Sequence, residues 1–146
     1  MYGLMGIAAV AMMAVSALVG AMILRCGSGA SALVLGAGLG LILGAVLGSA
    51  TGIYMGGQSN HWVGAPPTDA GGLPIVGWSM TGGDLRVAHF VGLHMTQVLP
   101  LVGWLSCLLL PRTLAVPAVA STAVIGVVLT VLTLAQAVSG SPLVPA

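Results

Sequence analysis

Residues 33–55 read LVLGAGLGLILGAVLGSATGIYM, a continuous apolar run without a charged side chain. A helix needs about 20 predominantly apolar residues to cross roughly 30 Å of membrane hydrocarbon, so this run is long enough to span a bilayer. Three further runs of similar length lie at residues 3–24, 87–110 and 114–138. The sequence therefore predicts an all-α integral membrane protein, a four-helix transmembrane bundle forming one domain over residues 1–146.

The composition of the whole chain leads to the same conclusion. Only 3% of the residues are charged and 58% are hydrophobic, and the mean hydropathy is +1.16. Soluble domains carry charge at about a quarter of their positions, so the lipid bilayer must be the main surroundings of these side chains. A net charge of +1 also excludes nucleic acid as a partner, because neutralising phosphates requires many clustered Lys and Arg residues.

The short connections between the predicted helices indicate their orientation. Residues Arg25–Gly29 and Pro111–Thr113 are predicted to form brief turns, so each pair of helices should be antiparallel neighbours. Short basic loops tend to stay in the cytoplasm, and Arg25 and Arg112 fall on one side against Arg86 on the other. We therefore expect a multi-pass protein of the inner (plasma) membrane with both termini outside.

The second predicted helix carries glycine at every fourth position. These glycines are Gly36, Gly40, Gly44, Gly48, Gly52 and Gly56. Glycine at this spacing leaves a stripe without side chains on which another backbone can pack closely, and such packing drives helix association in a bilayer. The glycine stripe predicts tight packing within one subunit or between subunits. It is also compatible with a groove that admits a flat ligand such as a porphyrin, a quinone ring or a polyene.

The connection between the second and third helices, residues 57–86, is too long for a simple turn. Loops of this length are uncommon unless they are functional or disordered, and this one keeps many apolar residues. We expect it to fold as a cap over the outer end of the bundle. Asp84 is predicted to cap the third helix, because its carboxylate can accept hydrogen bonds from the first free amides, with Arg86 offsetting its charge.

Polar side chains enter the third helix beyond this cap. With a rise of about 1.5 Å per residue, His89 lies roughly 7 Å, His94 roughly 15 Å and Gln97 roughly 20 Å beyond Asp84. Polar groups at such depth are costly and often functional. We therefore predict a polar pocket in the outer half of the bundle, formed by the loop with His89, His94 and Gln97. The alternative for each histidine is a neutral imidazole hydrogen-bonded between helices.

Two redox cofactors are compatible with these residues. A membrane haem b needs two neutral imidazoles that face each other from separate elements, and His89 or His94 could supply the pair together with His61. Because His89 and His94 are rotated by roughly 140° from each other, they cannot both ligate one metal from a regular helix. Copper is the second candidate, since methionine is a soft ligand and Met95 adjoins His94. The candidate cofactor-binding residues are thus His61, His89, His94 and Gln97, and the candidate metal ligands His94, His61 and Met95.

The competing hypothesis is that the protein has no catalytic or binding site of its own. The chain would then be an accessory or assembly subunit of a larger membrane complex, or part of a homo-oligomer. The glycine stripe of the second helix would be its docking surface.

A pattern at the end of the long loop resembles one found in small polytopic membrane proteins of bacteria. It comprises Gly77-Trp78-Ser79, Gly82-Gly83-Asp84-Leu85-Arg86, His89-Phe90, Leu93-His94 and Gln97. The resemblance covers the loop end and half of the third helix, and it implies that this polar region is one unit. It implies no activity and assigns no residue a role.

Overall fold

The structure is a computed structural model that describes residues 2–27 and 31–145. It contains four long helices, α1 (Tyr2–Cys26), α2 (Ala32–Gly56), α3 (Leu85–Leu109) and α4 (Arg112–Val138). All four are long and apolar enough to cross a membrane. The predicted all-α four-helix architecture is confirmed, and each helix end lies within two residues of its predicted position.

Helix α2 is the central element of the bundle. It packs against α1 on one side and α3 on the other, while α4 packs mainly against α3. The described part of α1 contacts mainly α2, so most of its apolar side chains remain exposed. Leu99 of α3 and Val119 of α4 are among the side chains with no exposed surface.

The glycine stripe of α2 packs against α3 inside the same chain. A Cβ atom at Gly40 would lie 2.8 Å from the Pro100 ring and 2.9 Å from the Met95 carbonyl oxygen. A Cβ atom at Gly52 would lie 2.8 Å from Cε1 of His89. The other close glycines are Gly36, Gly44 and Gly48, which face Leu99, Thr96 and Leu93. The stripe is therefore an internal packing surface, and Gly56 lies beyond it with open space around it.

The long connection folds back onto the start of α3. Strands β1 (Trp62–Val63) and β2 (Gly83–Asp84) pair antiparallel, with Trp62 opposite Asp84. The Leu85 amide donates to the His61 carbonyl oxygen at 2.9 Å. Gly83 fits directly against the Ala137 backbone near the end of α4, where no side chain could be accommodated. Residues 57–84, here called the cap, are thereby joined to α3 and α4, and the end of the bundle that they cover is the cap end.

We expect Gly40→Ala to lower the free energy of unfolding by about 1–3 kcal/mol, the usual range for overpacking. The added methyl group meets a rigid proline ring and a backbone carbonyl, so α2 and α3 must move apart. Circular dichroism melts of the detergent-solubilised protein measure the change in Tm. Gly56→Ala is the matched control, since its methyl group enters open space. Equal Tm values for the two variants would contradict the packing described here.

Candidate functional site

Arg86 is the centre of a charged cluster at the cap end. Its Nη2 donates to Asp84 Oδ2 at 2.7 Å, to Asp69 Oδ1 at 2.7 Å and to the Gly77 carbonyl oxygen at 2.9 Å. Its Nε donates to Asp84 Oδ1 at 3.0 Å. Three of the five charged residues of the chain thus meet at one point, and they connect the middle of the cap to the first turn of α3.

Asp84 bonds through its carboxylate both to the cap and to the first turn of α3. Its side chain is buried, and its carboxylate accepts hydrogen bonds from the backbone amides of Ser79 and Arg86, each at 3.0 Å. Asp84 is the N-cap residue of α3. Burial by itself raises the pKa of Asp84, but the hydrogen bonds from Arg86 and Ser79 outweigh it and hold the pKa below its ordinary value of 3.8. The hydrogen bond from Arg86 also lowers the pKa of Asp69.

We expect the protein to lose stability on acidification below about pH 4, with Asp84 as the main cause. A carboxyl group whose pKa is lower in the folded than in the unfolded state stabilises the fold fully above the unfolded value. This contribution is lost as the pH falls through the folded value. Thermal melts between about pH 3 and pH 7 measure this loss. These limits lie on either side of the ordinary carboxyl pKa of about 4.

The matched pair for this experiment is Asp84→Asn and Asp69→Asn. Asp84→Asn should lower stability at neutral pH by roughly 3 kcal/mol, because it leaves Arg86 without its buried partner, and should flatten the acid dependence. Asp69 is more than half exposed, so its replacement should have a much smaller effect. A flat pH profile of the unaltered protein would show that the cluster does not stabilise the fold.

His61 belongs to the same cluster. Its ring stacks on Trp62 with centroids 3.7 Å apart, and its Nε2 lies 3.7 Å from Asp69 Oδ1. The Arg86 guanidinium lies 5.9 Å from the Trp62 ring centroid. Among the described residues, the buried His61 Nε2 and Trp62 Nε1 have no hydrogen-bond partner. The structure thus places His61 in the cap.

His89 faces α2, and its tautomer follows from its contacts. Its Nδ1 lies 3.1 Å from Thr51 Oγ1. The Thr51 hydroxyl lies 2.7 Å from the Leu47 carbonyl oxygen and 3.2 Å from that of Gly48. We assign its proton to these acceptors, so that Thr51 Oγ1 accepts from His89 Nδ1–H. The neutral ring then carries an unprotonated Nε2 with a free lone pair. Thr51 is buried, so this hydrogen bond fixes the orientation of the imidazole.

A groove of about 900 Å³ lies between α1, α2 and the first half of α3 at the cap end. Its lining is mainly apolar and includes Val10 and Met13 of α1, Met55 of α2, and Leu93 of α3. Gly48 and Gly52 form part of the α2 wall, and His89 is also in the lining. Small-molecule sites typically have volumes of roughly 300–1,000 Å³, with mostly apolar walls and few polar groups. The groove has this character, with His89 as its titratable side chain among the described residues.

The other predicted site residues lie elsewhere. His94 and Gln97 are exposed on the side of α3 away from its buried face, and neither lines the groove. His94 Nδ1 donates to the Phe90 carbonyl oxygen at 2.8 Å, and the two rings stack at 3.8 Å. Met95 is buried in the core with its sulfur against Gly126. In the described ranges, no group of three or more His, Cys, Asp or Glu side chains is arranged to hold a metal ion.

Sequence reasoning missed two parts of the groove. Thr51 was not identified as the partner of His89, although a threonine within an apolar helix was an available signal. The contribution of the first half of α1 to the wall had no such signal. No protein family, curated protein or solved structure matches this chain. The geometry of the cap and the groove is therefore the basis for inferring a function.

Proposed function

We propose that the protein binds a flat, membrane-soluble molecule in the groove at His89. Haem b is the first candidate and a quinol the second. The observation that carries this proposal is the His89 imidazole, which lines an apolar groove with its Nδ1–H engaged by Thr51 and its Nε2 lone pair unused. Both candidate molecules present a group to which a neutral imidazole nitrogen binds, an iron atom or a hydroxyl.

The arrangement around His89 supports haem in three respects. Histidines that ligate a metal usually donate their other ring N–H to a neighbouring acceptor, as His89 does to Thr51. Gly3 and Gly6 of α1 line the groove, and the space where their side chains would lie is open, which suits a flat ring. Met13 and Met55 line the same groove, and the thioether of either would supply a further iron ligand beside His89 if haem were bound.

The predicted pairing of His61 with His89 or His94 has less support. His61 lies in the cap beside Asp69 and Trp62, and His94 lies on the exposed face of α3. Copper held by His94, His61 and Met95 has less support for the same reason, because Met95 is buried in the core. The proposal therefore rests on His89 alone among the three histidines.

We expect detergent-solubilised protein from haem-supplemented cells to show the intense haem absorption band in the blue. His89→Leu should abolish the band and His94→Leu should retain it, since His94 lies outside the groove. Loss of the band in His94→Leu, with retention in His89→Leu, would place haem elsewhere and refute the groove as its site. If the unaltered protein shows no band, haem is removed from consideration. Mass spectrometry of the solvent-extracted protein then distinguishes a quinol from phospholipid, and phospholipid alone would refute the proposal.

We expect Thr51→Val to weaken binding of the molecule so identified by about 10- to 100-fold, the usual effect of removing a group that orients a metal-ligating histidine. Valine keeps the shape of threonine but cannot accept from His89 Nδ1–H. Titration of the ligand into stripped protein in detergent measures the affinity. Thr122→Val in α4 is the matched control, because the Thr122 hydroxyl bonds to the Ala118 carbonyl of its own helix. Equal affinities for the two variants would contradict the role of Thr51.

The hypothesis of an accessory subunit that docks through the glycine stripe has less support. It used the glycine stripe of α2 as the docking surface, and α3 of the same chain occupies that stripe. Any partner would have to use another face of the bundle.

A further inference from the structure

One exposed face of α3 differs in composition from the other lipid-accessible faces. Its side chains follow a spacing of four, three, four, three and four residues, which places them in a single stripe along the helix. We call this stripe the α3 seam; it consists of Phe90, His94, Gln97, Leu101, Trp104 and Leu108, all exposed. A regular helix always has such a stripe, but this one carries a histidine and a glutamine near the middle of a membrane-spanning segment.

The hydrogen-bonding capacity of His94 is half used. A carbonyl oxygen can only accept, so the 2.8 Å contact between His94 Nδ1 and the Phe90 carbonyl places the ring proton on Nδ1. The Nε2 atom of the neutral ring is then an acceptor. No donor to this Nε2 is present among residues 2–27 and 31–145.

Gln97 offers the complementary group. Its amide has two N–H donors and a carbonyl acceptor, and within the described structure none of them makes a hydrogen bond. An unpaired carboxamide is strongly unfavourable in hydrocarbon, because no solvent molecule replaces its hydrogen bonds to water. Polar side chains on transmembrane helices relieve this cost by bonding across a helix interface. The seam thus presents an acceptor and a donor, both in need of a partner.

We infer that two copies of the chain pair through the α3 seam, with Gln97 of each copy donating to His94 Nε2 of the other. A second copy of the chain is the partner that fits this surface. His94 Nε2 needs a donor, which Gln97 of another copy supplies, and the Gln97 amide needs an acceptor, which His94 of another copy supplies. Copies in one membrane share their orientation, so a two-fold axis along the membrane normal sets the two α3 helices parallel and equal residues at equal depth.

The dimensions of a parallel pair allow this exchange. His94 and Gln97 are about 4.5 Å apart along the helix axis, a distance that the glutamine side chain can bridge. The carbonyl and second N–H of each Gln97 can pair across the axis. Leu101, Trp104 and Leu108 continue the seam as apolar layers, and Trp78 of the cap packs edge-on against Phe90 at 5.4 Å. Polar residues inside such a seam fix its register and the number of helices.

The paired arrangement leaves the groove accessible. His89 is rotated by roughly 140° from His94 around α3, and it faces α2 rather than the seam. Dimerisation and ligand binding therefore depend on different faces of one helix. A variant of the seam and a variant of the groove should affect one property each, which keeps the two inferences separable by experiment.

The first test is the oligomeric state of the full chain in mild detergent, measured by sedimentation equilibrium over a range of protein-to-detergent ratios. The unaltered protein should be dimeric, and Gln97→Leu should raise the dissociation constant at least about tenfold, because both Gln97–His94 hydrogen bonds and the pairing of the two Gln97 amides are lost. Gln136→Leu is the matched control, since the Gln136 amide already donates to the Pro142 carbonyl of its own chain. His89→Leu should leave the dimer unchanged.

Because Gln97 is exposed, its replacement by leucine should not prevent folding, and a circular dichroism spectrum of each variant verifies this. A monomer at every ratio would overturn the inference and show that lipid covers the seam. Equal dissociation constants for the Gln97 and Gln136 variants would also overturn it.

A second test locates the interface directly. In a Cys26→Ala, Cys107→Ala background, Leu101→Cys should form an intermolecular disulfide on oxidation in membranes. Leu132→Cys on α4 should not, although Leu132 is as exposed as Leu101, at 59% against 53%. Cross-linking through position 132 and not through position 101 would place the dimer interface on α4 and refute the seam.

Discussion

The close approach of α2 and α3 is the contact on which the rest of the molecule depends. Five glycines of α2 remove the side chains that would hold the two backbones apart, and α3 fills the space with Leu99, Pro100, Thr96, Leu93 and His89 in turn. In a bilayer no hydrophobic effect draws helices together, so such shape matching has to supply the attraction. It also sets the rotation of α3, which decides that His89 faces the protein and His94 faces outward.

The cap completes this arrangement at one end. Asp84 is the last residue of β2 and the N-cap of α3, and its carboxylate also binds Arg86. One carboxylate therefore fixes both the start of the helix and the fold of the cap. Because α3 begins at a defined residue, the depth of His89 relative to the cap end is also defined. Both features therefore position the His89 imidazole. The charged cluster sets its position along the axis of α3, and the glycine stripe sets its direction around that axis.

Length and hydropathy were sufficient to predict the helices, because a bilayer imposes a minimum apolar span that few other structures require. The glycine repeat also predicted a close helix contact, although its spacing could not distinguish a contact within the chain from one between chains. The 140° separation of His89 and His94 was available from helix geometry, but the choice of which residue faces α2 was not. The direction of each histidine depends on which side chains of α3, such as Leu99 and Thr96, pack against the glycines of α2. This packing cannot be read from the sequence of one helix alone. The place of α1 was equally inaccessible, because its own sequence is apolar on every side.

The two ends of α1 are held very differently. Near residue 20 it lies against α2 so closely that a Cβ atom at Gly20 would come within 2.7 Å of the Gly38 carbonyl oxygen, whereas around Gly3 and Gly6 open space replaces that contact. Helix α1 thus packs tightly against α2 near residue 20 and leaves a gap beside its first turns, where the groove lies. Because this gap lies between two membrane-spanning helices, it faces the lipid phase at the side of the bundle. A membrane-soluble molecule can therefore reach His89 without passing through water.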